Sequence, residues 1–205
     1  MKQYPSIPRA TGQSFFEFDA HVFDKIDGSN LRFEWSPKRG WSKAGTRTRM
    51  LDETDPDFGS AIGIFEHEMS ESLARIARRE RWQRLIVFCE FAGPSSFAGV
   101  HVRDESKTLT LLDASPFGTE LMAPGDFLRT FGDLPIPRYL GRVHWTRGFV
   151  EEVRRGRVEG ITFEGVVGKA LIGRRIVMAK AKTQAWIDAV MARYGEAAGT
   201  RIINS

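Results

Sequence analysis

Apolar and polar positions alternate in short blocks along this 205-residue chain, and the period of the blocks changes from strand-like to helical several times. Residues 20 to 23 form an apolar run, and Leu31, Phe33 and Trp35 alternate with Arg32 and Glu34, so both stretches read as strands. Asp27-Gly28 between them is a turn pair whose glycine supplies positive φ, which predicts a hairpin with Lys25 at a strand end. After Trp41 comes a turn and then alternating cations, with Arg47 and Arg49 expected on one face. From Phe58 to Trp82, Phe58, Ile62, Phe65, Met69, Leu73 and Ile76 recur at helical spacing; Asp57 is placed to cap the start, and late arginines complement the helix dipole. Residues 85 to 91 are a continuous apolar run broken only by Glu90. A polar loop over 94–106, a strand over 108–112, a helix over 124–131 and a strand ending at Val143 follow. A helix capped by Thr146 then runs to Gly156. Residues 160–169 and 175–182 read as paired strands around Gly173, and Thr183 caps a last helix ended by Gly195. Residues 1–19 read as an extended lead-in that docks on the body and carries no chemistry.

Composition narrows the class without choosing a function. With 41% hydrophobic and 27% charged residues, the chain is ordinary for one globular domain with its own core, and no repeat or linker divides residues 1–205. A single cysteine, Cys89, excludes an internal disulfide and a cysteine-based zinc site, which makes a reducing, cytoplasmic setting the expectation. No apolar run is long enough to span a bilayer, and Met1-Lys2-Gln3-Tyr4-Pro5 is not followed by a signal-like stretch. The net charge of +4 suits a polyanionic partner, and the basic residues become dense beyond Arg138.

Three groups of residues carry candidate chemistry. Lys25 sits between acids at the end of a strand, where an amine can be presented to a ligand. Glu90 interrupts an apolar strand, a costly place for a carboxylate unless it is paired or faces a cleft. Lys180 and Lys182, two apart on a strand, face one side. A lysine attacks phosphorus only as the neutral amine, and a reference pKa near 10.4 sets that requirement at about 4–5 kcal/mol at neutral pH. Neighbouring cations lower the cost by disfavouring the ammonium, and they also hold phosphate oxygens in the transition state.

Four short motifs, each at a predicted strand end, recur in one order: Lys25-Ile26-Asp27-Gly28-Ser29-Asn30, Phe88-Cys89-Glu90-Phe91-Ala92-Gly93, Glu164-Gly165-Val166-Val167-Gly168-Lys169, and Lys180-Ala181-Lys182. Together they resemble the covalent nucleotidyltransferase superfamily, most closely its ATP-dependent RNA ligase branch, over residues 20 to 185. The resemblance implies an α+β fold of two antiparallel β-sheets forming a nucleotide-binding cleft, with flanking helices. It implies a lysyl-AMP intermediate on Lys25, with ATP as the nucleotide and Mg²⁺ as the metal, and sealing of a 5′-phosphate to a 3′-hydroxyl. Matched position by position, Asp24 and Ile26 lie where the chain passes the adenine, Asn30 near the ribose or acceptor phosphate, and Glu90 at the ribose hydroxyls. Glu164 holds Mg²⁺ or polarises the nucleotide, Lys180 and Lys182 take phosphates, and Arg47, with Arg49 as the alternative, contacts phosphate. Asp27 shapes the turn, and Lys169 ranks below the others.

The sequence departs from the family at Leu112, where an aromatic commonly meets the adenine, and at Cys89, where glycine is common. With one helix expected after Lys182, neither an oligonucleotide-binding barrel nor a C-terminal helical domain is expected within residues 1–205. The expected partner is nucleic acid, RNA ends or nicks before DNA, with a protein partner supplying further substrate contacts and no membrane. A DNA ligase, an adenylyltransferase needing a partner, and a non-catalytic RNA-end-binding module are the other readings.

Overall fold

The strands on either side of Asp27-Gly28 do form, but they belong to different sheets. A computed structural model describes residues 1–10, 15–93 and 105–204. Strand β1 (Phe18–Lys25) lies in a four-stranded antiparallel sheet with β7 (Tyr139–Trp145), β8 (Gly165–Ile172) and β9 (Arg175–Lys182), in the order β7-β1-β8-β9. Strand β2 (Ser29–Ser36) lies in a five-stranded antiparallel sheet with β3 (Gly40–Thr46), β4 (Met50–Leu51), β5 (Leu85–Ala92) and β6 (Thr108–Pro116), in the order β4-β3-β2-β5-β6. The expected hairpin is therefore a crossover. Gly28 is needed for space and not for positive φ, since a Cβ there would sit 2.5 Å from the Phe91 carbonyl oxygen.

The described residues gather into two compact units. One combines Met1–Pro5 with residues 28–93 and 105–136; it holds the five-stranded sheet, α1 (Gly59–Phe65), α2 (Glu71–Arg79) and α3 (Pro124–Phe131). A π-helical segment, Glu66–Ser70, joins α1 to α2, so the long amphipathic stretch is nearly continuous. Its start is secured by Asp55 and not Asp57: the Asp55 carboxylate accepts from the backbone N–H of Asp57 and of Phe58. The core is one face of the sheet, where Leu31, Phe33 and Trp35 meet Val87, Cys89 and Phe91 beneath Phe65 and Leu73. Burying each such side chain contributes about 1.5–3 kcal/mol. Arg47 and Arg49 do not share a strand face, because β3 ends at Thr46 and the Thr46 hydroxyl accepts from the N–H of Thr48 and Arg49 in a tight turn.

The other unit combines residues 6–10, 15–27 and 137–204; it holds the four-stranded sheet, α4 (Arg147–Arg154) and α5 (Gln184–Asn204). Thr146 caps α4 by accepting from Phe149 N–H at 3.1 Å, as its position predicts. Strand β8 begins at Gly165 and not at residue 160, because the approach is fixed sideways: Asp24 accepts from both the N–H and the hydroxyl of Thr162. Helix α5 does break at Gly195 (φ 71°, ψ 176°), but the chain then resumes as a second helical segment. Ile202 and Ile203 pack with Trp186, Val190 and Met191, so the segment lies back on the first half. The lead-in docks as expected within each unit. Tyr4 is buried in the first, and in the second Ala10 N–H and Lys180 N–H form backbone bonds with the carbonyls of Lys180 and Pro8. The polar loop expected over 94–106 lies outside the described residues as far as 104.

Candidate functional site

In the four-stranded sheet the two faces have opposite characters, and strand register explains why. Ala20, Val22, Val166, Ala170, Ala179 and Ala181 point to one side, where they form a core with Phe18, Trp145 and Val153. Residues of the other parity share the opposite side: Lys25 is paired with Gly165 and Gly165 with Lys182; Phe23 with Val167 and Val167 with Lys180; His21 with Lys169. Lys25, Lys169, Lys180 and Lys182 therefore stand on one face of three adjacent strands.

Glu164 organises two of these lysines. Its Oε2 accepts from Lys25 Nζ at 2.9 Å and its Oε1 from Lys182 Nζ at 3.0 Å. Lys25 keeps 20% of its side-chain exposure, whereas Glu164 and Lys182 keep 3% each, so Lys25 is the most exposed member of the group. Gly165 makes the arrangement possible. It has φ +147°, and a Cβ there would fall 2.0 Å from the Ala181 carbonyl oxygen, so only glycine lets β8 close on β9 beside Glu164. Thr183 fastens the same point: its N–H donates to the Glu164 carbonyl at 2.9 Å, and its hydroxyl donates to the Phe163 carbonyl and accepts from Trp186 N–H.

Trp186 completes the surroundings. Lys182 Nζ lies 4.0 Å from its ring centroid, and its indole N–H donates to Asp27 Oδ2 at 3.0 Å. Burial lowers the Lys182 pKa from its usual value; Glu164 opposes that shift, while Lys25 and Arg9 add to it. Lys169, nearly fully buried, lies 4.8 Å from the Phe23 ring centroid.

Asp24, expected near the adenine, is buried with its carboxylate engaged by Thr162, where it braces the segment leading to Glu164. Asp27 shapes its connection through Trp186, and Ile26 is half-buried between them.

Within the other unit, the sheet face opposite the core brings Asn30 and Glu90 together as directly paired residues of β2 and β5. Glu90 is buried, and Asn30 Nδ2 donates to the Cys89 carbonyl at 3.4 Å. Tyr4 packs against Phe88 at 5.1 Å between centroids and donates its hydroxyl to Asp113. Burial, and after it Asp113, push the Tyr4 phenol well above its usual pKa; Glu90 acts in the same direction and Arg47 against it. Arg47 is thus within electrostatic reach of this group, whereas Arg49 is bound to Asp55. Leu112 is the extra residue of a bulge, since Phe88 pairs with Asp113 and Cys89 with Leu111.

Nothing in the sequence singles out Trp186, Tyr4 or Thr162, and Lys169 ranks below the other candidates there. Only Lys169 had a readable signal: once the β8–β9 turn is centred on Gly173-Arg174, parity puts it on the face of Lys180 and Lys182. Among the described residues, no group of three or more His, Cys, Asp or Glu could hold a metal ion alone, and no helix is long and apolar enough to cross a membrane.

No protein-family model and no curated protein sequence matches the chain. Solved structures do match. An archaeal ATP-dependent RNA ligase superposes with a TM-score of 0.67 over 99% of this chain and 56% of its own, at 17% identity. A variant of the Naegleria gruberi RNA ligase with AMP and Mn gives 0.62 over 83% of this chain and 51% of its own, at 14% identity. Another variant of that enzyme, with ATP and Mn, gives 0.61 at 15% identity. The chain has the fold of these RNA ligases, as its four motifs predict, and it spans about half of their length.

Proposed function

We propose that the chain is the nucleotidyltransferase core of an ATP-dependent RNA ligase, with Lys25 as the nucleophile. The observation that carries this reading is the grouping of Lys25, Glu164 and Lys182, with Lys169 and Lys180 on the same sheet face. In the proposed first step the neutral Lys25 amine attacks the α-phosphorus of ATP. A nitrogen–phosphorus bond forms, the bond from that phosphorus to the bridging oxygen breaks, pyrophosphate leaves, and the amine gives up a proton. Lys180 and Lys182 act as point charges on phosphate oxygens, where charge-assisted bonds in a dry site are strongest. Glu164 Oε2, at 2.9 Å from Lys25 Nζ, is within the distance at which a carboxylate can exchange a proton with the amine.

Glu90 and Asn30, directly paired on adjacent strands, are assigned to the ribose, and Arg47 to phosphate because Arg49 is held by Asp55. Asp24 and Ile26 are assigned to the adenine side through the backbone they shape. Mg²⁺ commonly binds through one or two carboxylates plus substrate phosphates, and the lone Glu164 suits a metal arriving with the nucleotide. Such an ion supplies charge neutralisation at the phosphates. AMP is then passed to a 5′-phosphate and displaced by a 3′-hydroxyl. In this reading the protein works in the cytoplasm on RNA ends or nicks.

Incubation with α-labelled ATP and Mg²⁺, followed by denaturing electrophoresis, tests the reading. The expected result is a covalently labelled chain whose label is abolished in Lys25→Ala while the thermal unfolding midpoint stays close to that of the parent. A label that survives in Lys25→Ala would remove Lys25 as the nucleophile.

A further inference from the structure

A second site lies in the same unit as the lysine face, at the edge of the sheet. Between α4, α5, β9 and the lead-in residues Arg9, Ala10 and Phe15 there is a cavity of about 530 Å³, a size typical of small-ligand sites. Its wall is apolar at Phe15, Ile187 and Met191 and cationic at Arg9, Arg147 and Arg154. Among the described residues of the wall the one acid, Glu151, is drawn to Arg155 at 2.9 Å. Each arginine is held in place by a neighbour. Arg9 donates to Asn204 Oδ1 at 2.9 Å, Arg154 Nε donates to Gln184 Oε1 at 2.9 Å, and the Arg147 guanidinium lies 4.8 Å from the Phe15 ring centroid. A guanidinium has five donors, so the bonds of Arg9 to Asn204 and of Arg154 to Gln184 fix those two without exhausting them. Three arginines around an apolar wall match a ligand that joins an anion to a flat, weakly polar group.

We propose that this cavity takes one nucleotide unit of a single-stranded nucleic acid, with its phosphate at the arginines and its base against Phe15 and Met191. The cavity is lined by the same β9 segment, residues 180–182, that carries two of the site lysines. The choice of nucleic acid as substrate class rests on the ligase reading; the size, charge and apolar wall are independent of it.

The test is fluorescence anisotropy with a labelled, 5′-phosphorylated RNA decamer, with AMP as competitor, run beside the ATP-labelling assay. Arg147→Glu combined with Arg154→Glu should weaken RNA binding at least tenfold. It should also flatten the dependence of log affinity on log salt by about 0.7, which is one single-strand phosphate contact. Thr200→Trp, at an exposed position of the cavity wall, should weaken binding by occupying space without altering charge. Circular dichroism checks that both variants fold. Unchanged affinity in the arginine variant overturns the proposal, and so does weakening by charge reversal but not by Thr200→Trp, because the effect would then belong to the basic surface. Displacement of the decamer by AMP at equal concentration overturns the proposal, because the decamer would then gain nothing over a free nucleotide. RNA binding that depends on the cavity in a chain that takes no label upholds this proposal and removes the ligase reading. The reverse pattern, label without cavity-dependent binding, does the opposite.

Discussion

Replacing Glu164 by Gln tests whether the paired charges are as buried as their geometry implies. Glutamine keeps the size of the side chain but removes the charge shared by two ammonium groups at 2.9 and 3.0 Å. Lys25, with 20% side-chain exposure, can turn toward water; Lys182, with 3%, cannot. The loss therefore falls on Lys182. Breaking a buried pair by removing one partner costs about 3–5 kcal/mol, and the contact with the Trp186 ring, common to both proteins, leaves that difference unchanged. For a chain of this size the loss lowers the unfolding midpoint by about 6–20 °C.

The pH dependence of that loss separates this mechanism from general disruption. Burial already lowers the Lys182 pKa and Glu164 partly restores it, so the Glu164→Gln substitution lowers it further. A lysine whose folded pKa lies below its unfolded value weakens folding most when protonated in both states. That penalty lifts as pH rises from the folded pKa toward the usual value of 10.5. The deficit of Glu164→Gln relative to the parent should therefore be largest near neutral pH and shrink toward pH 10. Urea unfolding at several pH values measures it, and adding Lys182→Met should recover much of the stability. Full stability of Glu164→Gln at pH 7, or a deficit that neither changes with pH nor responds to Lys182→Met, would refute the reasoning.

Lys180→Ala and Lys182→Ala should each reduce labelling from ATP by about 100-fold or more, and arginine should not restore either, because a planar fork does not replace a point charge. Rates near those of the parent in both variants would reduce the Lys-Ala-Lys strand to a structural edge. Gly165→Ala should prevent β8 from closing on β9 and yield little folded protein, since the new Cβ meets backbone at 2.0 Å with φ at +147°. Gly173→Ala, at φ +61° with nothing within 4 Å of the added methyl group, should cost only about 1–2 kcal/mol in thermal unfolding; equal losses would show that space at Gly165 is not what matters.

The strands and their faces were legible because period-two patterns survive in both sheets. Leu31, Phe33 and Trp35 do face the core, and Lys180 and Lys182 do share a side. What the sequence concealed was pairing. Asp27-Gly28 signals a change of direction, yet nothing in it distinguishes a hairpin from a crossover, and the proximity of Gly28 to the Phe91 carbonyl arises between residues far apart in the chain. The arginine turn was hidden for a local reason, since alternation from Thr46 to Arg49 looks strand-like until the Thr46 hydroxyl bends it. Tyr4 is silent in the sequence because a terminal segment offers no period to read. Its role depends on Asp113, 109 residues away.

If Lys25 is the nucleophile proposed above, the lysine grouping also gives a way to keep its amine quiet. An amine that donates to a carboxylate gains from staying protonated, so the 2.9 Å contact with Glu164 favours the unreactive form of Lys25. The same carboxylate is bound on its other oxygen by Lys182, which is nearly without solvent. Under the ligase reading, phosphate oxygens that drew Lys182 away would by themselves leave Glu164 more fully to Lys25 and keep the ammonium. Glu164 held by a cation arriving with the nucleotide would instead release Lys25, with Lys180 and Lys182 still beside it to disfavour the ammonium. In that reading the acid would link arrival of the nucleotide's cation to the protonation of Lys25.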